Sequence, residues 1–224
     1  MTAPRLHAVA PAVHVLHSPD SSAESGAELQ HVRTARAFRV FLESLGLDLS
    51  DPNLAGTDHR VARAYAELLG GLRPDAEPTL STFPNTEGYA DIVSVTRIPF
   101  YSICAHHFLP FFGSAHVGYV PGESLAGLSK LARVVDYFAR RPQLQENLTE
   151  QVADLLDTRL SPAGVIVSLE ARHLCMEMRG VARAGVTTTT TAVRGTFRSE
   201  RMRRRFFARL RDAAADAPSK EHTR

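Results

Sequence analysis

Two stretches place metal-ligating and proton-transferring side chains side by side. In "ICAHHFLPFFG" (103–113), Cys104 and His107 stand three apart with His106 between them and an apolar run after them. The second cysteine, Cys175, lies in "EARHLCMEMRGV" (170–181). Read as a strand, that stretch alternates faces: His173, Cys175, Glu177 and Arg179 share a polar side, and Leu174, Met176 and Met178 share an apolar one. Two sulfurs and one imidazole, Cys104, Cys175 and His107, suit zinc. Three protein ligands leave a fourth position for water, whose pKa a bound zinc brings to about 7. His106 and His173 are then free to move protons. Spacing alone leaves two other readings open: a Cys104–Cys175 disulfide, and a buried free cysteine beside a core-facing histidine.

Two further motifs could bind a nucleotide. In "GLSKLARVV" (127–135), Ser129 can cap a helix whose first turn carries Lys130 and Arg133 on one face. A helix N-terminus with two cations favours phosphate; the same pattern also describes a solvated basic face. Only Lys130 and Lys220 are lysines, so a lysine here stands out. In "QLQENL" (143–148), Gln145 and Glu146 open a helix. An acid there complements the helix dipole, or its carboxylate accepts two parallel hydrogen bonds from the N1–H and 2-amino edge of guanine.

These side chains need a scaffold, and 224 residues are enough to bury a core. A net charge of +2 calls for neither a nucleic acid nor a membrane partner. No apolar run is long enough to span a bilayer, and His and Pro interrupt the N-terminal apolar residues, so a reducing cytoplasm is expected. Residues 1–27, rich in Ala, Pro, Ser and His, read as a disordered tail. A helical region, 28–89, follows. Its first helix starts at Glu28 and its second at Thr57, stopped by Gly70 and Gly71, and a loop runs over 73–89. From Ala90 the period becomes two. The order is then two strands, two helices, two strands and a basic helix over 90–215, with 216–224 as a C-terminal tail. That order predicts an α+β domain, an antiparallel sheet with two helices on one face. The threonines 187–191 form a half-polar strand in this reading.

The runs "FYSICAHHFLPFFGSAHVGYVP", "GLSKLARVVDYFARRPQLQENLTEQVAD" and "EARHLCMEMRGV" together resemble GTP cyclohydrolase I, from about Thr57 to Phe197. The resemblance implies the tunnelling fold and conversion of GTP and water to 7,8-dihydroneopterin triphosphate and formate. It implies that Cys104, His107 and Cys175 hold Zn2+, where an activated water attacks C8 of guanine. His106 and His173 shuttle protons, and Gln145 with Glu146 recognises guanine. Ser129, Lys130, Arg133 and Arg179 contact phosphate, with Arg60 and Arg63 adding charge from the second helix. It further implies a homo-oligomeric ring, a toroidal decamer, with active sites at subunit boundaries.

The chain departs from the family pattern twice. Ala105 stands where the family has Glu, between two ligands, and Asp58 stands where it has Pro. Asp58 suits a helix's first turn. Ala105 keeps an alternative open: a paralogue that stops after ring opening or acts on a modified guanine nucleotide. A zinc nucleobase deaminase is excluded, because no H-x-E with a distant P-C-x-x-C is present.

Overall fold

A computed structural model describes residues 21–215. Residues 1–20 of the expected N-terminal tail and all of 216–224 lie outside them. The chain divides between Ala64 and Tyr65 into two compact units.

The first unit holds helix α1 (Ser21–Ser44) and the opening turns of α2 (Thr57–Leu68). α1 begins seven residues before Glu28, so residues 21–27 of the expected tail are helical. Asp58 is buried, where it accepts a bond from Arg39 Nε at 3.1 Å and one from the His59 N–H. The departure from the family's Pro is thus a paired carboxylate at a helix start.

In the second unit, α2 stops at Leu68 before a 3-10 turn at Gly70–Leu72, as the paired glycines predict. Short strands β1 (Thr82–Pro84) and β4 (Ser124–Ala126) pair with each other. The main sheet contains β2 (Val93–Cys104), β3 (Pro110–Val120), β5 (Pro142–Gln143), β6 (Gly164–His173) and β7 (Thr187–Gly195), in the order β5-β2-β3-β6-β7. Its four long strands are antiparallel, and the two-residue β5 joins β2 in parallel. β3 and β6 approach closely at Gly113, where a Cβ would stand 1.9 Å from the Glu170 carbonyl oxygen.

Helices α3 (Leu128–Ala139) and α4 (Gln145–Leu160) cover one face of this sheet. Leu131, Val134, Val135 and Phe138 from α3 and Leu148, Val152 and Leu156 from α4 recur at the 3.6-residue helical period and are buried, with Leu155 partly buried beside them. They share one core with Phe100, Phe111, Val117, Val165, Val167 and Leu169 of the strands. Ile166 points to the opposite face and packs with Phe206 of α6 (Glu200–Ala215), Phe197, Ile92 and Val120. The α+β class holds, with a third helix on the second face. No helix among the described residues is long and apolar enough to cross a membrane.

The strand expected through 170–181 ends at His173, and Leu174–Glu177 form one helical turn, α5. The expected strand alternation of Cys175 with the methionines therefore fails. Met176 and Met178 are exposed rather than core, Met178 at 65%, while Cys175 is buried. The run Leu-Cys-Met-Glu has helix-compatible residue types, and Arg172 clamps Glu177 with Nε–Oε1 and Nη2–Oε2 contacts of 2.8 and 2.5 Å. That clamp across five residues fits a turn and would not fit an extended chain.

Candidate metal centre

β2 delivers Cys104 at its last residue, and the chain reverses over Ala105–Phe108 into β3. The Cys104 N–H donates to the Leu109 carbonyl at 2.8 Å, and the Phe108 N–H to the Cys104 carbonyl at 2.9 Å. A third bond, Ala105 N–H to the Gln143 carbonyl at 3.0 Å, ties the hairpin to β5. His106, His107 and the Ala105 methyl are exposed on its rim. The α5 turn brings Cys175 from the end of β6 to the same place.

The ligand atoms of Cys104, His107 and Cys175 lie within 4.8 Å of one another, and this group could hold a metal ion. The two sulfurs are 3.8 Å apart, and both cysteines are free thiols. Zinc–sulfur bonds of about 2.3 Å at the tetrahedral angle put two thiolates about 3.8 Å apart, so the donor spacing fits zinc. Burial pushes the Cys175 thiol above its ordinary value, and the adjacent Cys104 thiol adds to the shift. A cation between the sulfurs removes that penalty, because a coordinating thiol is deprotonated outright.

His173 closes β6 beside this cluster. Its ring stacks on Phe111 with centroids 4.6 Å apart and planes within 1°. Its Nε2 lies 2.8 Å from Oε1 of Gln145, which is only 2% exposed. The Gln145 amide is oriented by its other end: Nε2 donates toward the Thr188 carbonyl at 2.9 Å, Thr190 Oγ1 at 3.1 Å and the Leu169 carbonyl at 3.2 Å. Those carbonyls can only accept, so Oε1 faces His173 as an acceptor. The imidazole therefore carries its proton on Nε2 and keeps the Nδ1 lone pair. Burial lowers the His173 pKa, with Glu146 opposing, so the neutral form is favoured.

Both ends of the Gln145 amide are bonded inside the fold, which sets it apart from its neighbour. Glu146, the next residue, is exposed in the first turn of α4 and is close enough to act on the His173 charge. Residue types alone could not separate the neighbours; the helix phase, with Gln145 inward beside Leu148 and Thr149, does so. The threonine tract also gains a function in the site, because Thr188 and Thr190 are its half-buried members and hold Gln145.

Arg179 also lies at the cluster, with Nη1 3.5 Å from the Cys175 carbonyl. Ser129 and Lys130 open α3, at the opposite end from Ala139. α3 starts after β3 has returned from the ligand hairpin, and only its Ala139 end leads into β5 beside Cys104. Ser129 and Lys130 are therefore about 15 Å along the helix axis from that end. The helix N-cap is Gly127, two positions before the expected Ser129, with its N–H held by the Ser81 carbonyl at 2.9 Å. Arg60 and Arg63 lie in the first unit and are exposed; Arg60 bonds to the Ala55 carbonyl and Thr57 Oγ1 at 2.9 and 2.6 Å.

Residues 34–211 match the sequence pattern of the family described as GTP cyclohydrolase I. The chain belongs to the GTP cyclohydrolase I family. A GTP cyclohydrolase 1 from Mycobacteroides abscessus is 48% identical over 191 residues, covering 83% of this chain and 93% of the relative. One from Pelotomaculum thermopropionicum is 51% identical over 170 residues, covering 75% and 89%. Among solved structures, the apo form of an archaeosine synthase QueF-Like aligns with a TM-score of 0.38 and 19% identity, over 47% of this chain and 94% of that one. That overlay is too slight to bear on the fold. Within the matched GTP cyclohydrolase I span lie both cysteines, the histidines His106, His107 and His173, the Glu146 carboxylate, and the α3 cations.

Proposed function

We propose that this chain is a zinc-dependent GTP cyclohydrolase I, a cytoplasmic enzyme that converts GTP and water to 7,8-dihydroneopterin triphosphate and formate. The observation that carries the reading is the converged Cys104–His107–Cys175 donor set in a chain of that family. Zinc, when bound there, supplies a Lewis acid and a water nucleophile at neutral pH. The remaining work falls to the chain's own side chains. The Glu146 carboxylate accepts the N1–H and 2-amino hydrogens of guanine and so sets the base over the cluster. His173 takes a proton at Nδ1, the nitrogen its bond to Gln145 leaves free. His106, exposed on the hairpin rim, exchanges protons with the leaving fragments as the ring opens and formate departs. Arg179 faces the phosphates from the α5 turn.

Ser129, Lys130 and Arg133 complete the triphosphate site in this reading, together with Arg60 and Arg63. The separation of Ser129 and Lys130 from the Cys–His–Cys cluster along α3 supports a site built between two copies of the chain. A homo-oligomeric ring of tunnelling-fold subunits, a toroidal decamer, satisfies that requirement. Ala105 is compatible with full turnover, since its N–H still braces the hairpin on Gln143 and its side chain is exposed.

The test is incubation of zinc-loaded protein with GTP, with formate, pterin fluorescence and ring-opened formamide measured together. Equal formate and pterin are expected. A formamide end product would establish the shorter reaction instead, and no GTP turnover at one zinc per chain would refute the function.

A further inference from the structure

The hairpin carrying Cys104 and His107 contains one strained residue. Phe108 follows His107 directly and has φ +55°, a left-handed conformation that bulky L side chains rarely adopt. The strain is functional in form: the Phe108 N–H reaches the Cys104 carbonyl at 2.9 Å only because the chain turns this sharply, and that bond closes the loop around both ligands. Yet the Phe108 ring is not fixed by the core, being 45% exposed. Tyr65 meets it from outside the hairpin. The two rings stack with centroids 5.9 Å apart and planes within 17°, and the Tyr65 hydroxyl donates a long bond of 3.4 Å to the Phe108 carbonyl.

We propose that Tyr65 is a positioning residue for the metal centre: it braces Phe108 in its left-handed conformation and so keeps the His107 imidazole converged on Cys104 and Cys175. Strained backbone persists where surrounding structure over-determines it. Here the hairpin's own bonds fix the loop ends, and the aromatic stack holds its strained residue. Without the ring, Phe108 relaxes toward negative φ, and the adjacent His107 rotates away from the sulfurs. The stack matters more than the hydroxyl, whose bond is near the limit of useful length. The inference rests on the zinc reading above.

The experiment measures zinc directly. Wild type, Tyr65→Phe, Tyr65→Leu, Tyr65→Ala, Phe108→Ala and the Tyr65→Ala/Phe108→Ala double variant are loaded with zinc, their metal content determined, and zinc release to a chromophoric chelator followed. Loss of groups that orient a ligand typically costs 10–100-fold in metal affinity. Tyr65→Ala and Phe108→Ala are each expected to release zinc at least about tenfold faster, with Tyr65→Phe within about threefold of wild type. The double variant is expected to match the single ones, because either change removes the same stack. Tyr65→Leu keeps bulk without a ring; it should release zinc fast even if the alanine variant fails to fold. Wild-type release rates in folded Tyr65→Leu and Tyr65→Ala, or rate increases that multiply in the double variant, would overturn the brace while leaving the zinc reading intact. A wild type that retains no zinc would overturn both.

Discussion

Gln145 is expected from its family resemblance to recognise guanine, and its bonds in the fold suit it to position His173; its removal separates the two roles. The side chain is buried and holds His173 at 2.8 Å while donating to Thr188 and Thr190 of β7. Three such bonds, at about 1 kcal/mol net each, make Gln145→Ala roughly 3 kcal/mol less stable. Gln145→Met keeps most of the volume, so its loss reports the hydrogen bonds with little cavity term. The catalytic effect follows from His173. Without the Oε1 acceptor, the ring keeps its Phe111 stack but loses the contact that selects the Nε2–H tautomer. A displacement of about 1 Å or a wrong tautomer costs about 10²-fold in rate. Both variants should therefore lower kcat about 10²-fold, with KM for GTP within about threefold of wild type. Steady-state kinetics on protein verified to hold one zinc per chain reads the two parameters separately. A KM that rises tenfold or more with kcat unchanged would show that Gln145 binds the base, and the positioning argument would be refuted.

Glu146→Ala should leave zinc in place and cut kcat/KM for GTP. Loss of a charged hydrogen-bonding partner costs about 1.5–3 kcal/mol, or roughly 10–150-fold; comparison of GTP with ATP in the wild type checks the same contact, and equal turnover of both would exclude it. His116 sets part of the pH dependence of stability. Burial pushes its imidazole below the ordinary value, with Glu170 opposing and Arg97 adding, and its Nδ1 accepts the Arg97 N–H at 3.3 Å. The unfolded chain then binds the proton at a higher pH than the folded one. The contribution is complete above about pH 6.5 and drains away as pH falls from there toward the depressed folded value. His173 is pushed the same way, so His116→Gln should remove part, and only part, of the fall in melting temperature between pH 7.5 and 5.5. An unchanged difference between the two pH values would exclude His116.

Much of this protein is legible from residue order because the signals are local. The inward stripes of α3 and α4 follow from helix periodicity, and the end of α2 from Gly70 and Gly71. The Cys104-x-x-His107 pair fits a hairpin because both ligands sit within one turn. What failed was local alternation at Cys175, where a side-chain clamp between Arg172 and Glu177 turned a presumed strand into a helical turn. Convergence of Cys175 on Cys104, 71 positions away, depends on β3 and β6 pairing in register, which no short window contains. The division of labour between Gln145 and Glu146 is likewise tertiary: two neighbouring polar residues differ only because α4 lies on β6 and β7 at one rotational phase. The same packing puts Lys130 far from the ligand hairpin within one chain. Residue types and periods therefore determined which groups carry chemistry and which elements bear them. Long-range strand register and helix phase decided which of those groups meet, because both are properties of contacts between segments and not of any segment alone.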